Sequence, residues 1–315
     1  MKKFLTILWI IILGGTVFIA INKFKPKSEQ PEKIEKIAEV TEATDAKIPR
    51  DQTPKTTDDY IKLAKNELNA REIEKAKNII WTLDQNNSEV KYYKAIILIL
   101  YKELDEAKKL FEEIAKNDKE TNAELIENTK KFLEAYTTFS YYKESDKVFL
   151  ELLLAKTLID VKEYQTAIPL LFSILNTKNN YRDAWIVLGY SYLNINKPND
   201  AIDALLQAKA LTSEKPETLF FLGLAYFAKN DIDKAIYYVE QADKYGYEPK
   251  DQVNLKLGDL YLLKENDKKA KEYYKEAYKT GGGNQLSNMA AIRYNKLTEK
   301  ELQNYQINVS APNSQ

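Results

Sequence analysis

The chain contains no cysteine and no histidine among its 315 residues. That removes thiol nucleophiles, disulfide staples, the usual soft metal ligands and the side chain best suited to proton transfer near neutral pH. Lysine plus arginine and aspartate plus glutamate are both 47, so there is no excess of either sign. A balanced chain has no long-range field to draw in nucleic acid or an anionic surface. No Gly-rich phosphate loop is present either, because Gly281-Gly282-Gly283 is not followed by Lys-Ser/Thr and reads as a linker. No cofactor and no metal is expected, and the chain reads as non-enzymatic. The missing cysteines leave the compartment open.

What is present is 44% hydrophobic residues, ample for a sizeable core, with 22 tyrosines. The start, Met1-Lys2-Lys3, leads into an uncharged apolar run from Phe4 to Ile21. As a helix those residues would span about 27 Å, close to the thickness of a hydrocarbon core. Residues 1–25 therefore read as a membrane anchor with a signal-anchor helix over 4–21. The other reading is a cleaved secretion signal, disfavoured by the length of the run and the lack of an A-x-A pattern after it. Lysines flank both ends, so charge does not fix the orientation. The short N-terminal tail favours a single-pass membrane protein with its bulk outside the cytoplasm.

Residues 26–56 hold Pro26, Pro31, Pro49 and Pro54 among Lys, Glu, Thr and Asp, a composition expected to form a flexible linker. From Thr57 onward the apolar spacing is helical, interrupted at Asn86-Asn87, Asn179-Asn180 and Lys229-Asn230-Asp231. No convincing strand pattern occurs.

A period underlies these helices. Gly189, Gly223 and Gly258 lie 34 and 35 residues apart, each after a leucine and three residues before Tyr192, Tyr226 or Tyr261. Ala201, Ala235 and Ala270 repeat in the same step, as do Ala208, Ala242 and Ala277. Small residues recurring at one point of a helix let a neighbour approach closely. Asn196 and Asn230 precede each second helix, where a side-chain oxygen could cap free amides, and Pro198 suits the same helix start.

The segment Trp185-Ile186-Val187-Leu188-Gly189-Tyr190-Ser191-Tyr192, with Ala201 and Ala208 after it, resembles the tetratricopeptide repeat signature W-x2-L-G-x2-Y…A. A fourth unit is legible in Leu154, Ala155, Leu158 and Ala167, and two divergent ones in Ala64 with Ala76 and Ala95 with Ala107. The expected fold is all-α, a right-handed superhelix of helical hairpins: two divergent units over 57–118, an extra connecting helix over 119–147, four units over 148–284, a capping helix over 285–305 and a disordered tail over 306–315. Pro169 falls inside a helix and predicts a kink.

The resemblance implies a concave face that binds a protein or peptide. Projecting the repeat places Ile186, Tyr190, Leu193 and Asn194 on it from one unit, Phe220, Leu224 and Phe227 from the next, and Leu255, Asp259 and Leu262 from the third. This mainly apolar groove suits an extended apolar segment or an amphipathic helix. It does not suit the carboxylate clamp used on chaperone tails, which needs lysines and asparagines where Ile186, Tyr190, Phe220 and Leu224 stand. These residues could instead only pack on neighbouring helices, or support self-association. The tyrosine pairs Tyr92-Tyr93, Tyr141-Tyr142, Tyr237-Tyr238 and Tyr273-Tyr274 read as helix packing rather than base-stacking platforms. Asp58-Asp59 and Glu112-Glu113 read as solvated faces. The whole reads as a membrane-tethered scaffold, with a structural subunit of a cell-envelope secretion, pilus or biogenesis complex as the alternative.

Overall fold

Six helical hairpins and two further helices make up the computed structural model, which describes residues 56–116, 122–141 and 146–310, with side chains as far as residue 299. The hairpins are α1 (Thr57–Asn69) with α2 (Ile73–Thr82), α3 (Ser88–Leu100) with α4 (Leu104–Lys116), α6 (Lys147–Asp160) with α7 (Tyr164–Thr177), α8 (Arg182–Asn194) with α9 (Pro198–Leu211), α10 (Pro216–Ala228) with α11 (Ile232–Lys244), and α12 (Lys250–Leu263) with α13 (Asp267–Thr280). Helix α5 (Ala123–Tyr141) stands between the second and third hairpins, and α14 (Gln285–Ser310) follows the last. No strand occurs among the described residues. The expected anchor at 4–21 and nearly all of the linker at 26–56 lie outside the described residues, as does Tyr142. None of the described helices is long and apolar enough to cross a membrane.

One register rule holds all six hairpins. A small residue on the first helix is followed sixteen positions later by a large apolar residue on the second: Ala64 and Ile80, Ala95 and Phe111, Ala155 and Leu171, Gly189 and Leu205, Gly223 and Val239, Gly258 and Tyr274. The large partner is fully buried in every case. Twelve positions after the small residue comes an alanine, also fully buried: Ala76, Ala107, Ala167, Ala201, Ala235 and Ala270. In the three glycine hairpins the helices come closest. A Cβ on Gly189, Gly223 or Gly258 would stand 2.5, 2.4 or 2.5 Å from the partner side chain, a separation that no methyl group tolerates.

The turn is equally regular. Seven positions after the small residue the chain enters the left-handed region, at Arg71, Lys102, Lys162, Asn196, Asn230 and Glu265, with φ between 57 and 65°. The next residue donates its N–H back across the helix end, as from Lys197 to the Tyr192 carbonyl and from Asp231 to that of Tyr226, both at 2.9 Å. This is the six-to-one closure of a Schellman motif. Asn196 and Asn230 therefore end the first helix rather than cap the second. They occupy a left-handed position that asparagine tolerates better than most residues. The capping oxygen comes one residue later, from Asp231 to the Lys234 N–H at 3.2 Å and from Asn266 to the Lys269 N–H at 3.1 Å.

Three other expectations need correction or refinement. Gly281 to Gly283 is not a linker. Gly281 caps α13, where a Cβ would meet Ser287 at 2.6 Å and the Asp251 carboxylate at 3.0 Å. Pro169 sits inside α7, which continues past it to Thr177. The last helix runs to Ser310, five residues into the stretch expected as tail.

First helices touch, α1 with α3, α6 with α8 and α8 with α10, and α12 touches the last helix α14, whereas the second helices do not pair to that extent. The stack therefore curves with its first helices inside. At the N-terminal end the curvature is tight enough for α1 and α3 to reach α7. Helix α5 thus does more than join two runs of hairpins, because those runs pack directly on each other.

Candidate functional site

The first helices α8, α10 and α12 present the inner face. On α8, Ile186, Tyr190 and Leu193 are half-buried and Asn194 is exposed, its amide donating to the Tyr190 carbonyl at 2.9 Å. On α10, Leu224 and Phe227 are half-buried, and on α12 so are Asp259 and Leu262. Two expected groove residues are core instead. Phe220 is 1% exposed and its ring stacks on Tyr247 with centroids 4.3 Å apart. Leu255, one repeat on, is 7% exposed. Both lie three residues before the close-approach glycine. For Phe220 the cover is Tyr247, from the turn that leads into α12.

An aromatic row crosses three hairpins beside these positions. The Tyr164 and Tyr190 rings are 6.5 Å apart, Tyr190 and Phe221 5.2 Å, and Phe221 and Phe220 6.1 Å. Tyr164, Tyr190 and Phe221 are half-buried, so part of each ring faces solvent. Phe221 and Tyr164 escape the projection. Phe221 is the neighbour of a projected residue, and Tyr164 opens a second helix that the projection leaves out. Farther along, the Lys256 ammonium lies 4.5 Å over the Phe227 ring, a cation–π contact. Burial pulls the Lys256 pKa below the usual lysine value.

Asp259 has a different task from the one projected. It accepts from the Tyr274 hydroxyl at 2.9 Å and pairs with the Arg293 guanidinium, tying α12, α13 and α14 together. Burial first, and then the Asp259 charge, push the Tyr274 hydroxyl pKa up. Beside this cluster Leu262, Leu263, Arg293, Lys296 and Leu297 line an open cavity of about 770 Å³. The inner face is thus apolar and aromatic over α8 and α10 and becomes charged towards α14, where the sequence projection expects few charges.

Of the tyrosine pairs, Tyr92 and Tyr93 are both buried, Tyr274 is buried beside half-buried Tyr273, and Tyr238 is half-buried beside exposed Tyr237. Tyr226 stacks on Tyr238 at 5.3 Å and Tyr261 on Tyr273 at 5.5 Å, in each case within one hairpin. These rings are therefore engaged with each other rather than set out as free platforms.

Residues 186–249 match one family model and residues 251–280 another, both described as tetratricopeptide repeat. No curated protein is similar enough to match. Among solved structures, a thermophilic TPR protein of Thermus thermophilus is 16% identical, over 67% of this chain and 99% of that one, with a TM-score of 0.43. MamA is 25% identical over 48% of this chain and 96% of its own, with a TM-score of 0.37. YrrB, described as a TPR protein with an unusual peptide-binding site, is 16% identical over 71% of this chain and 97% of its own, with a TM-score of 0.42. The helical hairpins of residues 186–249 and 251–280 thus match the tetratricopeptide repeat.

Proposed function

We propose that the chain is a non-enzymatic, membrane-tethered scaffold that holds a protein or peptide segment on the inner face of α8 and α10. The observation that carries this reading is the row of half-buried rings and aliphatic side chains, Tyr190, Phe221, Leu224 and Phe227, on first helices whose backs are packed. Apolar surface of this kind suits an extended apolar segment or one face of an amphipathic helix. Lysines and asparagines are absent from the positions a carboxylate clamp would use, so a chaperone tail is not the expected ligand. The apolar run 4–21 is read as the tether, with the array outside the cytoplasm.

Crosslinking from a photoreactive residue at Tyr190 or Leu224 in cells tests the face. Adducts to one recurring partner, lost on competition with a peptide from that partner, support it. Adducts only from Tyr237 and Tyr278 favour the second reading, a structural subunit of an envelope complex that uses its outer face. That reading draws on these two tyrosines, 56% and 54% exposed on the second helices α11 and α13. Alkali-resistant pelleting of the full chain with membranes tests the tether, and its appearance in the soluble fraction would remove it.

A further inference from the structure

A second site lies at the other end of the array, where α1 and α3 fold against α7. There a cavity of about 200 Å³ is lined by Lys65 of α1, Glu89, Tyr92 and Tyr93 of α3, Asn122, Glu124 and Asn128 at the start of α5, and Glu163 before α7. Three hairpins and the interposed helix α5 build it. Tyr92 and Tyr93 are 3% and 5% exposed, yet neither hydroxyl has a hydrogen-bond partner among the described residues. Their pKa values are raised, by burial first and then by Glu163 together with other carboxylates that include Glu124. The two hydroxyls therefore stay protonated in the cavity, close to its acids. The Glu89 and Glu124 carboxylates likewise accept no hydrogen bond from the described residues, and Lys65 reaches Glu163 only at 3.8 Å.

The charge count favours a cation. Glu89, Glu124 and Glu163, with Asp58 acting on Glu89, oppose the single charge of Lys65. The N-termini of α3, α5 and α7 offset about half a charge each, which leaves the cavity negative. Asn122 Oδ1 already accepts from the Glu124 N–H at 2.8 Å, and the groups left unused are mostly acceptors: carboxylate oxygens, the amide oxygen of Asn128 and hydroxyl lone pairs. The Tyr93 ring already carries the Lys65 ammonium 5.5 Å over its centroid, so this wall is of the kind that attracts a cation; the Tyr92 ring packs edge-on against Tyr93, Phe111 and Phe132. No group of three or more ligand-type side chains converges to hold a metal ion among the described residues. The volume suits the end of an alkylammonium or alkylguanidinium chain.

We propose that this cavity binds an alkylammonium or alkylguanidinium group, held by Glu89, Glu124 and Glu163 against Tyr92 and Tyr93. The site is independent of the inner face of α8 and α10, with different residues and a different ligand chemistry. The cation can arrive as a free small amine or as a lysine or arginine side chain of a partner, and the recognition chemistry is the same.

Calorimetric titration of the full chain in detergent tests it, with n-butylammonium, n-butylguanidinium, the capped tripeptide Gly-Arg-Gly and neutral n-butylurea as probes. Saturable one-to-one binding of a cation, with none of the urea, is expected. Glu124→Gln, at the exposed rim, is expected to weaken it by about tenfold, the equivalent of one lost charge contact. Tyr93→Phe is expected to weaken it several-fold, and the exposed control Glu113→Gln to leave it unchanged. Binding of the free cations alone points to a small amine, and tighter binding of the tripeptide points to a partner's side chain. The proposal is overturned if no cation saturates the protein, if the urea binds as well, or if Glu124→Gln binds like the parent with unchanged circular dichroism.

Discussion

Gly223 on α10 and Val239 on α11 are in such close contact that a Cβ on the glycine would lie 2.4 Å from the valine Cγ2 and 3.2 Å from the Val239 backbone nitrogen. The backbone neighbour cannot rotate away, so the two helices must separate to admit a methyl group. Gly223→Ala gains up to about 1 kcal/mol of helix propensity but overpacks the pair at a cost of about 1–3 kcal/mol. Net destabilisation in urea denaturation is expected, partly relieved by adding Val239→Ala. The first hairpin carries an alanine at the equivalent position, Ala64, with both it and Ile80 fully buried, so the variant should loosen the hairpin without abolishing the fold. A rise in stability would show that the close approach is not strained by a side chain.

The left-handed turn residues give a prediction of the opposite sign. Lys162 and Glu265 hold φ of 65 and 57° with long side chains that gain nothing from that geometry. A left-handed residue costs about 1–2 kcal/mol that glycine avoids, against glycine's larger loss of chain entropy. Lys162→Gly and Glu265→Gly should each stabilise by about 0.5–1 kcal/mol, while Asn196→Gly should be close to neutral. Thermal melts of the three variants decide it, and equal effects at all three positions would contradict the argument.

The repeat is legible in residues 189 to 277 because close approach of two helices leaves a local signature: a small residue, then an alanine twelve positions on. That signature extends to Ala64 and Ala95. The turn is not legible in the same way, because asparagine serves both as a helix cap and as a left-handed residue, and only the backbone distinguishes the two at Asn196 and Asn230. Projection puts Phe220 and Leu255 in the groove because one repeat considered alone does not show what the next lays over it, here the Tyr247 ring on Phe220. The acidic cavity is invisible in the sequence for a related reason. Lys65, Glu89 and Glu163 belong to separate hairpins and Glu124 to α5, and they meet only because the N-terminal hairpins curl until α1 touches α7.

Core and inner-face aromatics should separate cleanly on mutation. Phe220→Ala removes a fully buried ring and its stack on Tyr247, so a loss of about 3–5 kcal/mol is expected in chemical denaturation. Tyr190→Ala removes a half-buried ring and should cost less in stability while weakening partner capture. If Tyr190→Ala destabilises as much as Phe220→Ala, the ring at 190 is structural and the proposed face loses its central residue.

The acidic cavity sets a pH dependence whose sign is unusual for carboxylates. Burial raises the pKa of Glu163 above 4.5, outweighing the opposing pull of Lys65 and the Thr166 hydroxyl. Burial, with Asp58, does the same for Glu89. A raised folded-state value means that the folded chain binds these protons more tightly than the unfolded chain does. Their contribution is therefore fully present below about pH 4.5, the unfolded value, and is lost as pH rises through the folded values. Exposed Glu127 and Asp231 are shifted the other way by Lys131 and Lys234, but solvent screens both pairs. Urea midpoints should thus rise on mild acidification from about pH 7 towards about pH 5. Glu163→Gln and Glu89→Gln, which carry no titrating proton, should each flatten that rise and be more stable than the parent at neutral pH. A parent whose midpoint falls over this interval, or variants with the parent's slope, would show that the cavity carboxylates are not what governs it.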